Sequence, residues 1–517
     1  MRSMIKDSLA ADLSDSQKIE QIITRTRKWA KSHVKNKTRT HIRRKKHLMS
    51  NLRKCNEFLG DGLSNICHAD QITDTTQRDV RIAVTRRQVN DISDELTEIY
   101  NAERQRFLDD RAIDDDIHGD TCHRGFFDDT RTQRGSCIIK DLRDKAGNLS
   151  KTLNDVLCTA SRFYGGKGGL FNRGITRCST SEEALIEALQ KDNKKVPTHL
   201  KPKLLSIAVL DPWNIQKAIA GLPSNKKPGL DGFPSEYFKT FCLLNQKNDK
   251  GEVSINPLAK TIAGAYQECL EKGEMLECMQ AGVMSMLHKK DRRDDPANYR
   301  PITVLSALYK ILARSMVLSL ADIIPHLVSQ SQGGFQAEKY IGELSRLVQD
   351  LLTYMDDTDG DALLLACDQA KAYDMIDHTF MKKVLCTMEV PTDFIRLVEM
   401  CYTKNTVRVQ INGHLSPIFT PTNGVKQGCP LSPLLYICVF QSFLSLIQLS
   451  ELNGLNIPGK KGDLNNPMNM KAQAFADDLL VFLTSTKELP VFKKLLEIYE
   501  KKIGGRNNWD ETKPLLN

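Results

Sequence analysis

The stretch "AQAFADDLLVF", Ala472 to Phe482, sets two adjacent carboxylates, Asp477 and Asp478, between apolar residues. Phe475, Leu479, Leu480, Val481 and Phe482 read as buried strand. An unpaired buried carboxylate is costly and two side by side repel. The chain must therefore either turn the pair to water at a hairpin tip or balance it with a cation. Adjacent aspartates recur at Asp109/Asp110, Asp114 to Asp116, Asp128/Asp129, Asp294/Asp295 and Asp356/Asp357, all with polar or mixed neighbours that suit solvated turns. The flanks, rather than the dipeptide, set Asp477 and Asp478 apart, and the residues alone leave both readings open.

Two upstream features share the same half of the chain. "ALLLACDQAKAYDMIDH" begins as a buried strand, Ala362 to Cys367, delivers Asp368 at its end and turns toward a helical pattern near Thr379. "VRVQINGHLSPIF" alternates around Asn412-Gly413, a strong hairpin signal, and leads into "GVKQGCPLSPLL". There Gly428 and two prolines form a backbone that a ligand can approach closely, or simply the turn that starts the next helix. That helix holds no charge between Lys426 and Glu451. Its Gln441, Ser442, Ser445 and Gln448, and the turn-rich Pro430/Pro433 lead-in, favour a core helix over a membrane span.

Charge is unevenly distributed. Thirteen Lys and Arg side chains and no acid lie between Arg25 and Lys54, more than the net charge of +9, so the remainder is net acidic. That segment suits phosphate backbones or an acidic partner, or is a solvated charged helix. The fourteen cysteines show no Cys-x-x-Cys pair, and Cys67-His68 and Cys122-His123 stand alone. Reduced structural thiols and an N-terminus without an apolar signal core point to a nuclear and/or cytoplasmic protein that is not secreted. Residues 109–134 are acid-rich and weakly patterned, and "YGGKGGLF" (Tyr164 to Phe171) reads as a linker or small helical region.

Taken in order, Asp368 with Tyr373 in "DQAKAYD", "QGCPLSP" from Gln427, and "FADD" from Phe475 resemble palm motifs A, B and C of reverse transcriptases of non-LTR, LINE-type retrotransposons. "NKKPGLDGFPSEYFK" is similar to the N-terminal extension of that group, and "LHKKDRRDDPANYRPITVLSALYKIL" to its fingers motifs. "SQGGFQAEKYI" corresponds to a family segment that usually carries Arg where Lys339 stands, and "NNWDETK" to motif D. The resemblance runs from about 207 to 513. "FFDDTRTQR" and the basic arm look loosely like the region following an endonuclease.

The resemblance implies an α+β, right-hand polymerase with palm and fingers, preceded by a mainly helical basic region. It divides the chain into a basic helical arm (1–108), a linker region (109–206), an N-terminal extension (207–283), fingers (284–361) and a palm (362–517). The chain ends soon after motif D, so a thumb is expected to be missing, and it starts too late for an endonuclease. The implied activity is RNA-directed DNA polymerisation on an RNA template and DNA primer, with deoxynucleoside triphosphates as substrates and no membrane. Asp368, Asp477 and Asp478 are implied to hold two Mg²⁺ ions for two-metal phosphoryl transfer. Lys289 or Lys290 and Arg300 fall where the family contacts the triphosphate. Tyr373 takes the place of an aromatic side chain that blocks a sugar 2′-OH, usually Phe; RNA-dependent RNA polymerases carry Asp at that spacing and usually "GDD" at the hairpin. Gln427 and Gly428 would lie against nucleotide and template. Lys513 could protonate pyrophosphate, or be a surface lysine. The competing expectation is a catalytically silent, truncated remnant that acts at most as a nucleic-acid-binding protein.

Overall fold

The computed structural model describes residues 1–64, 82–95, 97–99, 139–150, 152–174, 178–242, 255–289, 291–337, 339–357, 363–457, 468–507, 509 and 512–515. The acid-rich stretch 109–134, Ala362 and Lys290 lie outside these residues, as do the side chains of Lys513 and of several residues in the basic run.

Residues 1–11 and 20–134 form one compact unit, and 12–19 with 135–517 form another. In the first unit the basic segment is helical throughout, within the helix Asp15–Ser64. Ile22, Ile23 and Thr26 are buried on one side, while Arg25, Arg27, Lys28, Lys31, Arg43, Arg44, Lys46 and Lys54 are exposed. Spacing of three and four between the buried positions is what a helix needs to hide one stripe.

The second unit is built on two four-stranded sheets. In the first, Ala281–His288 pairs antiparallel with Tyr299–Val304 and parallel with Thr406–Ile411, which the short strand His414–Leu415 extends. Asn412 and Gly413, with φ of 51° and 84°, make the expected tight hairpin, since Asn and Gly tolerate the left-handed backbone that such a turn demands. The second sheet is antiparallel in the order Lys513–Leu515, Leu363–Cys367, Asp478–Leu483, Ala472–Phe475. One of its faces is covered by the helix Ile341–Asp357, where Leu351 packs with Leu364 and Phe482.

The apolar helix Ser432–Leu449 is, among the described residues, the one long and apolar enough to cross a membrane. It is a core helix here, with every side chain from Leu434 to Ser445 buried. Gln441 and Ser445 find partners inside the fold. Gln441 Nε2 and Ser445 Oγ donate to Asp192 Oδ2 at 3.1 and 2.6 Å, and Ser329 N donates to Gln441 Oε1 at 2.8 Å. Paired in this way, polar atoms lose little by leaving water.

Of the Tyr164–Phe171 stretch, only Tyr164 and Gly165 are helical, and Gly166 to Phe171 form a glycine-rich loop. A Thr152–Asp155 capping box starts the helix Leu153–Gly165, and the glycine loop after it folds back so that Phe171 N donates to Tyr164 O at 2.8 Å. Asn423 Nδ2 donates to Leu170 O at 2.9 Å and Thr422 N to Phe171 O at 2.8 Å, so this segment braces the loop that leads into Gln427. A second brace is Lys502, 2 % exposed, whose ammonium meets Glu182 at 2.5 Å and Asp377 at 3.1 Å. It ties the helices Ser179–Lys191 and Leu489–Ile503 to the N-cap of His378–Thr387.

Candidate active site

The strand Leu363–Cys367 and the hairpin strand Asp478–Leu483 pair so that Leu479 faces Cys367. One step further along that antiparallel register, Asp478 faces Asp368. The turn between Phe475 and Asp478 has two residues, Ala476 and Asp477, and Asp478 opens the returning strand. Strand pairing, rather than proximity in sequence, therefore brings the three carboxylates to one end of the sheet.

They line a pocket of about 590 Å³ together with Lys289, Arg300, Tyr373, Gln427 and Gly428. All the residues singled out from the sequence are thus gathered in one place except Lys290 and Lys513. Lys290 is outside the described residues; Lys513 pairs through its backbone with Ala366, and its side chain is outside them.

The carboxylates perturb one another. Burial chiefly raises the pKa of Asp477, and the charges of Asp478 and Asp368 raise it further, with Lys289 opposing. Asp478 is raised by burial first, then by Asp368, again against Lys289. Three hard oxygen donors that resist sharing one space suit a divalent cation, which removes the repulsion. Among the described residues no group of three His, Cys, Asp or Glu side chains is drawn together closely enough to hold an ion unaided. That agrees with Mg²⁺ chemistry, in which one or two carboxylates act with water and substrate phosphates. The donor set therefore fits the ion.

Tyr373 lies flat on Tyr436, with ring centroids 4.6 Å apart and planes 9° from parallel, and the charge of Asp477 together with burial raises its phenol pKa. Tyr436 comes from the core helix and its hydroxyl meets Gln369 Oε1 at 3.3 Å. A ring held by stacking on a buried ring cannot swing away easily, which suits a steric wall.

Gln427 is fixed from two sides. Its carbonyl accepts from Thr303 N at 2.8 Å and its amide Nε2 donates to Asp374 Oδ1 at 2.9 Å. Asp374 is 1 % exposed, and burial raises its pKa against the opposing pull of Lys371. Gly428, at φ 105°, is glycine for a reason the sequence did not suggest: a Cβ there would lie 2.5 Å from Thr303 O. Close packing on the neighbouring strand requires it.

Sequence reasoning missed three groups of this site. Asp374 sat inside a quoted motif, and only its neighbour Tyr373 was given a role. Lys426 is buried with its ammonium donating to Cys401 O at 2.8 Å and lying over the Tyr309 ring at 4.1 Å. Gln332, fully buried, bonds the backbone of Ala476 in the hairpin turn. Asp374 had a detectable signal, an acid in an otherwise buried run; the other two had none in local pattern.

Carboxylates from adjacent strands thus stand at one end of the sheet beside Gly428 and the stacked ring of Tyr373, an arrangement of the kind a polymerase palm uses. In agreement, residues 287–508 match the family described as reverse transcriptase (RNA-dependent DNA polymerase). The chain carries a reverse transcriptase domain, and its relatives are proteins of non-LTR retrotransposons. It is 29% identical over 317 residues to the transposon TX1 uncharacterized 149 kDa protein of Xenopus laevis, covering 61% of this chain and 22% of that protein. It is 25% identical over 272 residues to the probable RNA-directed DNA polymerase from transposon X-element of Drosophila melanogaster, covering 52% of this chain and 27% of that one. Against the Pol polyprotein of the type-2 retrotransposable element R2DM, also from Drosophila melanogaster, the identity is 27% over 196 residues, 38% of this chain and 17% of the relative. The chain thus spans about a quarter or less of the length of these relatives.

Proposed function

We propose that this chain is the fingers and palm core of an RNA-directed DNA polymerase from a retroelement, extending a DNA primer on an RNA template. The observation that carries the reading is the convergence of Asp368, Asp477 and Asp478 with Tyr373 and Gln427 in one pocket. In the reaction, the primer 3′-oxygen forms a bond to the α-phosphorus of a deoxynucleoside triphosphate. The α–β bond breaks, and pyrophosphate leaves with its electron pair. Bound by Asp368, Asp477 and Asp478, two Mg²⁺ ions would supply acidification of the 3′-OH and charge for the leaving group.

The remaining roles belong to side chains. Lys289 and Arg300 offer positive charge to the triphosphate. Tyr373 denies room to a 2′-OH, and Gln427 with Gly428 forms a floor for the nucleotide. The exposed cations of the helix Asp15–Ser64 add a surface for phosphate backbones. Nuclear and/or cytoplasmic residence fits a protein whose described cysteines are all free thiols.

Asp477→Asn tests the reading. It should remove Mg²⁺-dependent primer extension on an RNA template while the melting temperature stays within a few degrees of the parent, because a ligand is lost rather than packing. Extension at the parental rate by this variant would refute the assignment.

A further inference from the structure

The turn that carries Asp477 is strained, and one side chain from a distant segment holds it. Ala476 has φ of 58°, a left-handed conformation that residues with a Cβ adopt rarely and against a steric penalty. Gln332, 0 % exposed, brackets this residue. Its Oε1 accepts from Ala476 N at 2.8 Å and its Nε2 donates to Ala476 O at 3.0 Å. These atoms belong to the two peptide planes that flank Ala476, so a single planar amide pins both, and with them the backbone angles that aim Asp477.

The bracket is itself built in. Gln332 Oε1 also accepts from Gly334 N at 2.8 Å. Gly333 N donates to Ala474 O at 2.8 Å, Ala474 N to Ser331 O at 2.7 Å, and Lys339 Nζ to Gln332 O at 3.2 Å. A Cβ on Gly334 would stand 2.3 Å from Ala476 N, so the segment must approach as bare backbone. The two backbone bonds of Ala474 make a parallel bridge between Gln332 and Ala474 on the edge strand Ala472–Phe475, which seats the Gln332 side chain against the turn.

We infer that Gln332 is a positioning residue that holds the Ala476–Asp477 turn in its divalent-ion-binding geometry. The inference rests on the polymerase reading for the role of Asp477, but the state of the turn can be measured without catalysis.

The full chain is compared as parent, Gln332→Met and Asp477→Asn, with melting curves, hydrogen exchange of the 472–479 segment, binding of Mn²⁺ alone by electron paramagnetic resonance, and primer extension. Methionine keeps the length and volume of glutamine and removes both bonds to Ala476 together with the one from Gly334 N. In Gln332→Met the Ala476 amide should exchange at least tenfold faster and the Mn²⁺ dissociation constant should rise at least tenfold. Its KM for deoxynucleotide at saturating metal should stay within twofold of the parent. If that variant has no melting transition, Gln332→Asn, whose shorter amide cannot span both peptide groups, takes the same measurements.

Unchanged exchange, or faster exchange with unchanged Mn²⁺ affinity, overturns the inference, the second because Gln332 would then be structural only. If Asp477→Asn loses Mn²⁺ while Gln332→Met binds like the parent, the inference falls and the polymerase reading stands. If Gln332→Met loosens the turn and weakens Mn²⁺ but the parent extends no primer, the inference stands and the polymerase reading falls. If neither variant alters Mn²⁺ affinity, both fall.

Discussion

Lys426 offers a quantitative test of the packing beneath the nucleotide platform. Its side chain is 8 % exposed, and burial lowers its pKa from 10.5 to about 8. A group whose folded pKa lies below its unfolded value is bound to a proton more often in the unfolded chain. Between the two pKa values stability must therefore rise with pH. Below pH 8 the native protein bears the cost of a buried ammonium; above it, the lysine folds neutral while the unfolded chain still holds the proton. From the two pKa values, the gain between pH 7.5 and pH 10 is about 2.5 kcal/mol. The Tyr309 and Tyr402 rings, 4.1 and 5.5 Å from Nζ, favour the ammonium and reduce this by about 1 kcal/mol. The neighbouring Cys401 thiol, pushed up to about 12 by burial, stays protonated in the fold but ionises in the unfolded chain, a contribution present in both proteins that cancels in their difference. In Lys426→Met, urea unfolding measured at pH 7.5, 8.5, 9.25 and 10 should lack this component. The stability of the parent relative to the variant should then climb by about 1.5 to 2.5 kcal/mol over the range. A flat or falling difference would show that the lysine is charged in the fold at pH 10, held by its carbonyl and rings, and the reasoning from burial would be wrong.

Tyr373→Val should relax discrimination against ribonucleotides without abolishing deoxynucleotide addition. A clash worth about 3 kcal/mol corresponds to a factor on the order of a hundred, read as the ratio of kcat/KM for matched deoxy- and ribonucleotides; an unchanged ratio would remove the aromatic wall from the argument. Ala476→Gly should relieve the left-handed backbone, raising stability by about 0.5 to 1 kcal/mol in urea melts even after the greater freedom that glycine gives the unfolded chain. A loss of stability would mean that the Ala476 methyl contributes packing that outweighs its strain.

Much of the site was legible because its signals are local. An apolar run ending in Asp368, an Asn412-Gly413 pair between alternating residues and two aspartates inside a strand each follow from a period of two and from the cost of buried charge. The core helix was legible through the polar residues that a lipid-facing span would not place there. The unreadable parts are pairings across the chain. Gln332 and Ala476 are 144 residues apart and joined by a side chain to backbone bracket that leaves no periodic trace. The packing of Gly428 on Thr303 O was not legible, because that oxygen belongs to a strand whose register the local sequence does not specify. The role of Asp374 depends on its partner Gln427, which arrives from beyond the next hairpin.

The register that sets Asp478 opposite Asp368 also governs when the site can exist. Leu363–Cys367 has no neighbour within its own sheet until Asp478–Leu483 and Lys513–Leu515 have been made, because both of its partners come from the last part of the chain. On a ribosome that synthesises from the N-terminus, the strand carrying Asp368 emerges long before either flank can cover it. Its Leu363, Leu364 and Leu365 must wait with unpaired backbone edges, a state that invites pairing with other chains. The carboxylate of Asp368 consequently cannot meet those of Asp477 and Asp478 across this pairing until residue 478 has been made. Synthesis itself thus acts as a timer on the pocket, and any slowing of translation between residues 367 and 478 lengthens the interval in which the nascent protein is most exposed to aggregation.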